Sequence, residues 1–165
     1  MIVACSSNNG IGFQNSIPWF IKSDLKYFSK LTKGNGNNAI VMGRKTWDSL
    51  PLKPLPKREN IIITNSIIET TKKIESLKEN INVLKSPEIA YQFCKDLQYD
   101  EMWIIGGSTI YEYFFKNFYS EIDKIYITKV LKDYECDVFL PDITTNFKIT
   151  DSIKKTEYEE NSKEN

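Results

Sequence analysis

Met102-Trp103-Ile104-Ile105-Gly106-Gly107-Ser108-Thr109 decides how this chain folds. Met102 to Ile105 is an unbroken apolar run, short enough for a strand buried on both faces. Two glycines end it, and Ile110, Tyr111, Phe114, Phe115 and Phe118 then recur at helical spacing. The reading is a strand, a tight turn and a helix, with no connecting loop.

The same order recurs upstream. Ala39-Ile40-Val41-Met42 is a second buried strand, and Gly43-Arg44-Lys45-Thr46 leaves it to open a short helix that Pro51 stops. Residues 60–64 and 81–84 read as further strands. Ser86-Pro87-Glu88 starts a helix with an N-cap and a proline at the first position, and Ile89, Ala90, Phe93, Cys94 and Leu97 give it an apolar stripe. Residues 2–6 and 124–130 are predicted strands, and residues 147–153 a last one. Residues 65–80 are polar and poorly periodic and carry no predicted element. The charged tail from about residue 154 is expected to fray. Strands alternating with helices predict an α/β fold: a predominantly parallel central sheet flanked by helices, in a single domain over residues 1–165. In such sheets ligands sit beyond the carboxyl ends of the strands.

A further helix is predicted from Pro18-Trp19-Phe20-Ile21-Lys22-Ser23-Asp24-Leu25-Lys26-Tyr27-Phe28 onward. Ser23 reads as its N-cap and Asp24 falls in the first turn, where the helix dipole tolerates a carboxylate. Asp24, Phe28 and Leu31 share a face. Two readings stay open: an acid that meets the polar edge of a flat ligand stacked on Phe28, or a solvated helix start above ordinary core.

Composition narrows the chemistry. The chain has 165 residues, 41% of them hydrophobic, with 22 basic and 22 acidic side chains. That length fits one domain. Zero net charge argues against a nucleic-acid or membrane-surface partner. No apolar run approaches the roughly 20 residues of a membrane helix. Histidine is absent, which removes Ser-His-Asp and Cys-His nucleophiles and histidine metal sites. Cys5, Cys94 and Cys136 lack metal-ligand spacing and read as reduced thiols of a cytoplasmic protein, with no metal expected.

Both glycine turns suit phosphate, through close backbone approach and free helix N–H groups. Each can also be read without a ligand, as a tight turn after Ile105 and as a solvated basic turn after Met42. Gly43-Arg44-Lys45-Thr46 adds two cations and a hydroxyl, and Lys85 after another strand adds a third cation. Two such turns on one sheet, with extra positive charge, suggest a dinucleotide carrying an additional phosphate, NADPH rather than NADH.

The chain resembles the dihydrofolate reductases. The resemblance runs through Ile11-Gly12, Asn15, Ile17-Pro18-Trp19, Asp24 and Tyr27-Phe28, then Met42 to Leu50 and Pro54-Leu55-Pro56-Lys57-Arg58-Glu59-Asn60. It continues through Ile104 to Tyr111, Thr128, and Asp137-Val138-Phe139-Leu140-Pro141. It implies NADPH-dependent reduction of 7,8-dihydrofolate to tetrahydrofolate, with hydride to C6 and a proton to N5. Asp24 would hold the aminopyrimidine edge, Thr128 would support it, and Tyr111 would lie near pterin and nicotinamide, making these three the catalytic set. Ile2, Val3, Ala4, Phe28, Leu50, Leu55 and Ile105 would line the substrate site, with Arg58 on the glutamate α-carboxylate. Ala4, Ile11, Gly12, Gly43, Arg44, Lys45, Thr46, Thr64, Asn65, Lys85, Gly106, Gly107, Ser108, Thr109 and Tyr111 would contact the cofactor. Lys85 is the candidate for its 2′-phosphate, and residues 8–19 would form a loop over the nicotinamide.

The resemblance further implies a monomer, or one part of a fusion with thymidylate synthase. The family's usual last, aromatic-rich strand is not found after Glu157-Tyr158-Glu159-Glu160, so the sheet is expected to be one strand short. The alternatives are a same-fold reductase of another pyrimidine, as in the riboflavin pathway, or a truncated domain that binds NADPH or folate without turnover.

Overall fold

The structure is a computed structural model and describes residues 1–77, 80–143, 145 and 147–157. Four parallel strands form its centre: β3 (Asn38–Gly43), β4 (Glu59–Ile63), β5 (Ile81–Leu84) and β6 (Glu101–Gly106), in the order β5-β4-β3-β6. Beside β6 runs β1 (Ile2–Cys5), paired in parallel with β7 (Tyr126–Lys129), so that Ala4 lies opposite Thr128. The antiparallel exception joins β2 (Gly10–Gly12) to β8 (Val138–Phe139). A central parallel sheet flanked by helices is thus the observed fold.

Because successive side chains on a strand point to opposite faces, the central strands feed two cores. On one face Val3, Ala39, Val41, Ile61, Ile63 and Ile104 pack with Ala90 and Cys94 of α4 (Pro87–Asp96) and Tyr111 and Phe114 of α5 (Ser108–Asn117). On the other, Ile2, Ile40, Met42, Ile62 and Trp103 pack with Trp47 of α2 (Arg44–Ser49) and Ile74 of α3 (Ile67–Ile74). Phe28 and Leu31 of α1 (Lys22–Lys33) lie against that second core.

The differences from the sequence reading have local causes. α3 occupies part of the segment left without an element: Ile67, Thr70 and Ile74 do keep helical spacing, but lysines and threonines dilute the stripe. Ser23 is inside α1, not before it; Ile21 is the capping position and offers no side-chain bond. β7 is shorter than residues 124–130, and residues 147–153 form no strand among those described. β2 and β8 are too short for a periodic pattern to announce them. Residues 154–157 have no regular secondary structure, and the rest of the tail lies outside the described residues.

Candidate functional site

Every parallel strand of the central sheet ends on the same edge, so Gly43, Thr64, Lys85 and Gly106 are gathered there. The two glycine turns meet. A Cβ built on Gly107 would lie 3.6 Å from the Thr46 hydroxyl, and one on Gly43 would lie 3.9 Å from the Gly106 carbonyl oxygen. Gly106 has φ +116°, a left-handed region that favours glycine, and its missing Cβ leaves room for the Tyr111 ring, which would otherwise be 3.1 Å away. The Gly106–Gly107 peptide is cis. Ser108 and Thr109 open α5 directly after this turn, and Arg44, Lys45 and Thr46 open α2 after the other. Arg44 is paired with Asp48 at 3.1 Å and Lys45 is exposed.

Further along the edge a cleft of about 450 Å³ is lined by Asn65, Ser66, Ile67, Ile68, Glu69 and Lys85. Thr64, just before it in the chain, is buried, and its hydroxyl accepts the Ser66 N–H at 3.1 Å. A smaller cleft of about 240 Å³, beside Tyr91, Cys94, Tyr99 and Glu101, opens at the amino end of β6 and holds none of the predicted site residues.

Helix α1 presents the second half of the site. Asp24, Phe28 and Thr32 recur every four residues and so fall on one stripe spanning roughly 12 Å along the axis. At its start the half-buried Asp24 carboxylate accepts the Thr128 hydroxyl from β7 at 2.5 Å. Burial pushes the Asp24 carboxyl above its ordinary value; the Thr128 bond pulls it down and the nearby Glu157 charge pushes it up again. At mid-stripe, Phe28 shares an apolar wall with Leu50, Leu55, Ile2 and Ile105. At the far end the Thr32 hydroxyl donates to the Phe28 carbonyl at 2.8 Å and accepts from Arg58 Nη1, also at 2.8 Å.

Arg58 is 3% exposed, and its Nε donates to the Pro56 carbonyl at 3.0 Å. No carboxylate among the described residues pairs with it. A buried guanidinium without a counter-charge is costly unless an anion arrives, and its fork suits a carboxylate. Asn60, fully buried, holds the segment before Arg58 in place by bonding both the N–H and the carbonyl of Leu55 at 2.9 Å. Thr32 and Asn60 are positioning residues that the sequence reading missed. Thr32 lies on the Asp24–Phe28 stripe and could have been found by extending it one turn; Asn60 carries no such signal.

The remaining predicted residues divide. Tyr111 is buried, and its hydroxyl donates to the Ile2 carbonyl at 2.8 Å. Burial pushes the phenol far above its ordinary value, so it stays protonated. Val3 faces the α4–α5 core, and Ile11 is packed against that core. Ala4 is half-buried opposite Thr128, the partner of Asp24, and Gly12 sits in the β2–β8 ladder opposite Val138. The stripe thus has an acid at one end, an apolar and aromatic middle, and a buried cation at the other, with the glycine turns and basic side chains on the carboxyl edge of the sheet.

The family model described as dihydrofolate reductase matches residues 1–165. A dihydrofolate reductase of Drosophila melanogaster is 36% identical over 155 residues, covering 90% of this chain and 81% of the relative. That of Bacillus subtilis (strain 168) is 32% identical over 164 residues, covering 97% and 86%. A bifunctional dihydrofolate reductase-thymidylate synthase of Paramecium tetraurelia is 34% identical over 140 residues, covering 85% of this chain and 27% of the relative.

Proposed function

The chain belongs to the dihydrofolate reductase family, and we propose that it reduces 7,8-dihydrofolate with NADPH between α1 and the carboxyl edge of the sheet. It is an enzyme, an oxidoreductase of folate metabolism. Reduction of another pyrimidine and binding without turnover are not favoured.

One observation carries the residue assignment. A half-buried carboxylate at one end of the α1 stripe and a buried, carboxylate-free guanidinium at the other match the two polar ends of dihydrofolate. Asp24 accepts the ring amide and amine of the pterin, and Thr128 orients it. Phe28, Leu50 and Leu55 cover the rings and exclude water, which strengthens the polar contacts inside. Arg58 clamps the α-carboxylate of the tail. Asp24 favours the tautomer through which N5 takes its solvent-derived proton.

The glycine turns fit a dinucleotide: a backbone bare of Cβ atoms faces the Thr46 hydroxyl, and the start of α5 offers N–H groups to pyrophosphate. Lys85 in its cleft suits an extra phosphate. Bound there, NADPH supplies hydride to C6 of the pterin. Tyr111 holds the Ile2 carbonyl, and with it β1, in register beneath the site. Among the described residues no group of side chains has the makings of a metal site, and no helix is long and apolar enough to cross a membrane. We read the protein as cytoplasmic and monomeric, an arrangement a fusion to thymidylate synthase would change.

The test is consumption of NADPH by the purified protein with and without dihydrofolate, repeated with NADH. The expected result is dihydrofolate-dependent consumption with NADPH preferred. Folded protein that consumes neither cofactor would end the reading.

A further inference from the structure

Helix α1 begins without a cap of its own, since Ile21 supplies no side-chain acceptor. A residue from far along the chain takes that place. Glu157 Oε1 accepts the Ser23 backbone N–H at 3.3 Å, and Oε2 accepts the Ser23 hydroxyl. The Lys22 backbone N–H also reaches this carboxylate. The next residue is Asp24. Two carboxylates therefore share one helical turn: one held by backbone amides and the Ser23 hydroxyl, the other by Thr128.

We propose that Glu157 is a positioning residue for the reduction: it caps α1, steadies the turn that sets Asp24 against Thr128, and places a second negative charge beside the substrate-facing carboxylate. The proposal rests on the reading of Asp24 as the pterin acceptor. From the elements packed around Asp24, Thr128 of β7 and Glu157 face it, and Lys26 on α1 itself faces Glu157. Glu157 is held below the usual carboxylate range, chiefly by the Ser23 hydrogen bond, so it is ionised wherever the enzyme works. Like charge then disfavours ionisation of Asp24, adding to the larger effect of burial. The reduction consumes a proton. A second fixed negative charge at this end of the site favours the protonated form of the bound pterin and so extends the active range upward.

The two roles of Glu157 separate in substitutions of the full chain. Glu157→Gln keeps the shape and an oxygen acceptor for Ser23 but drops the charge; Glu157→Ala drops both. We expect the alkaline midpoint of kcat/KM for dihydrofolate to move down by about half a pH unit in Glu157→Gln, the size of a solvent-screened unit charge a few ångströms away. Its melting temperature and its KM for NADPH should stay near wild type. Added salt should shrink the shift. Glu157→Ala should show the same shift with a lower melting temperature, as a lost cap requires. A Glu157→Gln profile that superimposes on wild type at low ionic strength overturns the proposal, whatever Glu157→Ala does to stability. Asp24→Asn separates the layers: if it collapses turnover while Glu157→Gln changes nothing, the reading of Asp24 stands and that of Glu157 falls; if Asp24→Asn turns over normally, both fall.

Discussion

Thr128 and Asp24 are 104 residues apart in sequence, and the threonine hydroxyl meets the aspartate carboxylate at 2.5 Å. The contact joins β7 to the first turn of α1, so the strand pairing of β7 with β1 fixes where the acid stands. Thr128→Val keeps the strand and the volume while removing the donor. A hydrogen bond to a charged group contributes about 1.5–3 kcal/mol, so kcat/KM for dihydrofolate should fall roughly tenfold or more. The Asp24 carboxyl should also titrate higher than in the wild type, because the bond favours its ionised form. Steady-state kinetics across pH check both; an unmoved profile with full activity contradicts the supporting role.

Arg58 is buried with no carboxylate partner among the described residues. Arg58→Lys keeps the charge but loses the planar fork, so KM for dihydrofolate should rise about tenfold or more with kcat little changed. A dihydropterin without the glutamate tail should be reduced equally by both proteins. Equal loss on the tail-less substrate would show that Arg58 supports the fold rather than the ligand.

Tyr111 is expected to position rather than to titrate. Tyr111→Phe leaves the Ile2 carbonyl without its partner, which costs about 1–3 kcal/mol of stability and should show as a lower melting temperature. The phenol stays protonated throughout the working range, so the pH midpoints of kcat should not move. A displaced midpoint would make Tyr111 part of the proton chemistry.

Asp24 should weaken the fold it serves. Its carboxyl has a higher pKa folded than unfolded, so the folded state binds the proton more tightly. Stability is then lost as pH rises from the ordinary aspartate value of 3.8 through the raised one. Asp24→Asn removes that loss. The variant should melt above wild type at neutral pH, and the difference should shrink as pH falls through the raised value toward 3.8. Thermal melts across pH decide it; a variant less stable at every pH contradicts the sign.

Residues that announce themselves locally were legible. Gly106 and Gly107 end an unbroken apolar run, and Ser86-Pro87 opens a helix, so both boundaries follow from backbone chemistry alone. Asp24 and Phe28 are four apart, and the helix does the rest. The role of Arg58 came from the family resemblance, because its burial depends on Thr32 and the Pro56 carbonyl, brought together by tertiary packing. The Ser23 misassignment has a related cause: a serine before an acid looks like a cap, yet the cap is Glu157, 134 residues away. Long-range partners of this kind leave no periodic trace.

The central claim is that Asp24 manages the pterin and its proton while the basic edge holds the reductant independently. Single-turnover reduction of dihydrofolate by Asp24→Asn, with NADPH affinity measured in parallel, tests it most directly. The account predicts a fall in rate of about 100-fold or more with NADPH affinity within a few-fold of wild type. A variant that reduces dihydrofolate at the wild-type rate, or that loses NADPH binding together with turnover, contradicts it.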